Sequence, residues 1–76
     1  MRVELAPRIV ADSEISFGKP TSKGTRVPVE LVVGKLGGGM SVEAVMDEYV
    51  LEREDVLAAL SYAAELVAGE RVRGMA

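Results

Sequence analysis

The sequence predicts a mainly α-helical protein: a helix-turn-helix-like three-helix unit preceded by short N-terminal β-strands. From residue 28 onward, apolar residues recur three and four positions apart in three successive segments. Residues suited to helix ends separate those segments. Ahead of residue 18 the apolar residues alternate instead, as half-buried strands do. Seventy-six residues make one domain, 1–76, with a small core.

Taken in order, residues 1–17 hold two alternating stretches, Val3 with Leu5 and Ile15 with Phe17, broken by Pro7 and Asp12-Ser13. Strands this short are not stable alone, so they are expected to pack on the helices or to pair across a dimer. Residues 18–27 form a Gly/Pro turn. Pro28 suits a first helical position and makes Val27 the expected N-cap. The first helix carries Val29, Val32, Val33 and Leu36, and ends at Gly37-Gly38-Gly39. Ser41 is the expected N-cap of the second helix, with Val42, Val45, Met46 and Tyr49 on its apolar side. The third helix, about 53–68, has Val56, Leu60, Ala63 and Val67 on one side and Glu54, Ala58, Ser61 and Glu65 on the other. Gly69 is expected to end it, leaving 69–76 as a loose tail and 28–68 as the tri-helical unit. The same pattern would serve a plain three-helix bundle.

Composition narrows the chemistry. There is no Cys and no His, which removes thiolate chemistry, the commonest general base and the commonest metal ligand. No metal or cofactor is expected. No apolar run is long enough for a signal peptide or a membrane span, so a cytoplasmic protein without membrane contact is expected. Charge is uneven: residues 1–40 carry six Lys/Arg against four Asp/Glu, and residues 41–76 carry three against eight. Attraction to phosphate belongs to the first half.

The stretch GKPTSKGTRVPV is where such attraction would act. As a phosphate-cradling Gly-x4-Gly-Lys-Ser/Thr loop it fails, because Ser13 stands for the first glycine and Pro20 for the hydroxyl residue. As a nucleic-acid contact it offers Lys19, Lys23 and Arg26. The plainer reading is a rigid turn that launches the first helix, with Arg26 bridging loop to helix. The start of the third helix, Glu52-Arg53-Glu54-Asp55, brings the wrong sign to a DNA groove, whereas its acids suit a helix N-terminus. Its face of Glu54, Ala58, Ser61, Tyr62 and Glu65 reads as a protein-contact surface. No hydroxyl, carboxylate or lysine is spaced as a nucleophile beside a base, so no enzyme is expected.

In its ordered blocks, GKP followed by KGTRVPVELVVGKL, then GGMSVEAVMDEY, then EDVLAALSYAAEL, the chain resembles the small prokaryotic family called "domain of unknown function 433". The resemblance runs from about Arg8 to Val67. It implies a helix-turn-helix-like fold, a homodimer, and the antitoxin of a type II toxin–antitoxin pair. Such antitoxins restrain a PIN-like ribonuclease encoded next door, and many bind their own operator DNA. The alternatives are a stand-alone DNA-binding regulator and a structural or adaptor module. Three positions depart from the family pattern: Ser22 replaces an aliphatic residue, Val50 replaces a turn glycine, and Glu52 replaces a Thr or Ser cap.

Overall fold

The computed structural model describes residues 1–74. Three strands come first: β1 (Arg2–Ala6), β2 (Ile9–Asp12) and β3 (Ile15–Ser22). Three helices follow: α1 (Val29–Gly37), α2 (Val42–Tyr49) and α3 (Arg53–Gly74). The strands form one antiparallel sheet in the order β1-β2-β3. The fold is therefore α+β, which corrects the expectation of a mainly α, helix-turn-helix-like protein. β2 escaped the sequence reading because Ile9 and Val10 are adjacent and both buried, so the strand shows no alternation. Its Ile9 belongs to the main core, alongside Val29 and Val32 of α1, Val45 of α2, Leu51, and Val56 and Ala59 of α3.

Each connection is set by particular backbone groups. Pro7 and Arg8 turn β1 into β2, with Arg8 at φ 69°. Asp12 faces Ile15 and Ala11 faces Pro20, so residues 16–19 bulge out of the β2–β3 ladder. Ser16, Phe17 and Gly18 all have positive φ there, and Phe17 is 99% exposed. That is not the buried strand position its alternation with Ile15 suggested. β3 runs to Ser22, well into the stretch expected to be turn. Lys23 to Val27 then form the tight loop, in which the Thr25 hydroxyl donates to the Ser22 carbonyl (2.8 Å) and accepts from the Val27 N–H (3.0 Å). Lys23 N–H donates to the Arg8 carbonyl (2.8 Å), tying this loop to the first hairpin.

The helix ends follow residue type. Pro28, with φ −70° and ψ 146°, is the N-cap of α1, one position later than the sequence suggested. The Ser41 hydroxyl accepts from the Ala44 N–H at 3.0 Å and caps α2. Val50 closes α2 in the left-handed region (φ 54°, ψ 55°). At the head of α3, the Glu52 carbonyl accepts from Asp55 and Val56, and the Asp55 carboxylate accepts from the Glu52 N–H at 3.0 Å. This is the returning half of a capping box, so Glu52 does not leave α3 uncapped. α3 continues through Gly69 to Gly74, past its expected end. Of the expected tail, residues 75 and 76 lie outside the described residues.

Candidate functional site

The loop cations are drawn apart by separate partners. Lys19 Nζ meets Glu30 Oε1 of α1 at 2.8 Å, and Lys23 Nζ lies 3.8 Å from Glu4 Oε2 of β1. Arg26 is exposed, and its guanidinium makes no hydrogen bond or ion pair among the described residues; only its carbonyl is engaged, by the Ser16 hydroxyl at 3.5 Å. The expected bridge from Arg26 to α1 is thus not formed. Lys19 takes that part instead.

The face foreseen on α3 is largely assembled. Ala58, Ser61, Tyr62 and Glu65 line one cleft of about 190 Å³, whose far wall is Ala6 and Pro7 of the first hairpin. Glu54 lies outside that lining. Ala58 and Tyr62 are half-buried and pack on the core, while Ser61 and Glu65 are exposed. Ala58 is therefore at the core edge and not on an outer face. A larger groove, about 560 Å³, also has Tyr62 in its lining. Lys19 and Pro20 of β3, Val33 of α1, and Leu66 and Val67 of α3 contribute to its walls. Leu66 and Val67 are 51% and 63% exposed, and Leu57 and Leu60 are also open to solvent. A helix with this much exposed apolar surface on more than one side is suited to a protein partner. The groove was legible only in part: adjacent Leu66-Val67 overruns the single stripe that a core needs.

A side chain that sequence reasoning missed holds the cleft in place. Arg8 Nη1 donates to Asp55 Oδ1 at 2.8 Å and to Glu52 Oε1 at 3.1 Å, fastening the first hairpin to the head of α3. Hydrogen bonds to these two carboxylates hold the guanidinium above its ordinary pKa. Nearby, Arg53 Nη2 donates to Glu43 Oε2 at 2.7 Å and joins α3 to α2. That bond, aided by a backbone bond within Glu43, holds the Glu43 carboxyl below its ordinary pKa.

The hydroxyls of Ser41, Thr25 and Thr21 are engaged with backbone groups. Among the described residues, no three Asp or Glu side chains converge as metal ligands. Nor, among them, is any helix long and apolar enough to cross a membrane.

Comparison with known proteins now places the chain. Residues 9–63 match the family described as "Protein of unknown function (DUF433)". The chain belongs to this family. The match takes in β2, β3, the loop, α1, α2 and the first half of α3; Ala58, Ser61 and Tyr62 lie inside it, whereas Glu65 and the Ala6-Pro7 wall lie outside. The crystal structure of Rv2018 from Mycobacterium tuberculosis is similar, with a TM-score of 0.69 and 30% identity. The similarity covers 78% of this chain and 29% of that one, so the chain spans less than a third of Rv2018. No curated protein matches the chain.

Proposed function

We propose that this DUF433 protein is a non-catalytic, cytoplasmic module that holds a partner protein on α3, as the antitoxin of a type II toxin–antitoxin pair. The observation that carries the reading is the meeting of Ala58, Ser61, Tyr62 and Glu65 with the first hairpin, beside exposed Leu66 and Val67. An aromatic shared by two apolar recesses, rimmed by a carboxylate, is the kind of anchor that concentrates binding energy. The family resemblance supplies the partner, a PIN-like ribonuclease. Charge supplies the sign: residues 41–76 carry three Lys/Arg against eight Asp/Glu, and a nuclease that holds metal and RNA offers a surface that welcomes carboxylates. Operator binding through Lys19, Lys23 and Arg26 is the weaker reading, because Glu30 and Glu4 already sit against both lysines.

The test is co-expression with the adjoining reading frame, purification through a tag on one partner, and an RNA-cleavage assay. Copurification with suppressed cleavage is expected. Ser61→Arg, an exposed substitution at the cleft rim, should abolish copurification while leaving the circular dichroism spectrum unchanged. A neighbour that is no nuclease, or one that cuts RNA equally well under a saturating excess of this protein, overturns the antitoxin reading.

A further inference from the structure

β1 is an edge strand covered on neither face. Its substantial contacts are with β2, and residues 2–5 are all exposed, Val3 and Leu5 among them. An exposed edge with apolar side chains is ready to accept another strand. The opposite edge is partly closed, because Thr21 of β3 bridges to Pro28. We propose that β1 pairs antiparallel with β1 of a second copy, with Val3 on the two-fold axis, so that two three-stranded sheets become one.

The register follows from hydrogen-bond parity and charge. The Met1 carbonyl accepts from the Ser13 N–H at 3.2 Å, and Val3 faces Ala11 two residues further along the same ladder. In an antiparallel ladder the residues bonded to a neighbour alternate, so Val3 also turns its N–H and C=O toward β2. Arg2 and Glu4 then turn theirs to the free edge. The irregularity between Glu4 and Ala6 ends the regular ladder at Leu5. A two-fold pairing must therefore centre on Arg2, Val3 or Glu4. Centring on Arg2 sets arginine against arginine, and centring on Glu4 sets glutamate against glutamate. Centring on Val3 sets Arg2 opposite Glu4 of the second copy, twice, and these become the bonded pairs. Like charges directly opposite destabilise a sheet and unlike charges stabilise it. The pairing is isologous, so it closes at two copies and uses up both β1 edges. It rests on the strand alone and is independent of any toxin.

Light scattering at micromolar concentration should give twice the monomer mass. Glu4→Arg places arginines opposite arginines and should weaken dimerisation roughly tenfold or more. Arg2→Glu should do the same, and the double exchange should restore the dimer. That rescue cannot come from the Lys23 contact of Glu4, which the exchange does not rebuild. Val3→Cys, in a chain with no other cysteine, should form an interchain disulfide on mild oxidation. Unbonded pairs lie about 4.5 Å apart at Cα, within disulfide reach. Glu14→Cys, away from β1, should not. A folded monomer at these concentrations overturns the proposal. So does a dimer that neither crosslinks at position 3 nor recovers on charge exchange.

Discussion

Val50 is the residue at which the chain's local chemistry and its fold disagree most openly. Its backbone sits at φ 54°, where a β-branched side chain crowds its own carbonyl, and the side chain is 86% exposed, so packing returns little. Only the geometry between α2 and α3 keeps it there: the N–H groups of Val50 and Leu51 both reach the Met46 carbonyl, and Leu51 enters the core. Val50→Gly should stabilise the protein by about 1 kcal/mol, the left-handed penalty less the extra freedom glycine has when unfolded. Denaturant titration would show this as a higher midpoint at an unchanged slope. A lower midpoint would mean that the valine contributes something the fold does not reveal. Ser22 poses the complementary case. It is 3% exposed and its hydroxyl has no partner among the described residues, so an aliphatic side chain there would leave none of them unsatisfied.

At the scale of elements, two arginines fasten units that share few core residues. Arg8 joins the first hairpin to the head of α3, and Arg53 joins α3 to the first turn of α2. The Glu43 carboxyl is held below its ordinary value of 4.5. A depressed carboxyl contributes stability that is fully present above its unfolded pKa and is lost as pH falls through the folded one. Wild type should therefore exceed Glu43→Gln in melting temperature at neutral pH. The gap should close below the ordinary carboxylate range, and a gap independent of pH would count against the linkage. The helices, their order and the Ser41 cap were legible because periodicity and capping chemistry are local. The sheet was not, since β2 has no alternation and β3 is split by its bulge. Arg8 was hidden for the same reason: its partners Glu52 and Asp55 are more than forty positions away in sequence.

At the scale of the molecule, the fold spans 41 × 33 × 19 Å, and α3 alone, at 22 residues, is about 33 Å long. The core uses Val56 and Ala59 near the start of that helix, whereas residues 64–69 are exposed. Four of the five residues foreseen for a partner face do meet, because one helix side is readable from spacing. Their opposite wall, Ala6-Pro7, depends on the sheet and was not. Tyr62 takes part in both recesses, the small one against Ala6-Pro7 and the large one against α1 and β3. A turn of this shared ring that widened one recess at the expense of the other would make the two volumes reciprocal. Occupants of the two recesses would then compete without touching, each weakening the other by the same factor, as linkage requires. Titrating a helical peptide that fills the larger groove, with and without the α3 partner bound, would read that factor directly. Equal affinities in both titrations would show the ring to be a fixed wall.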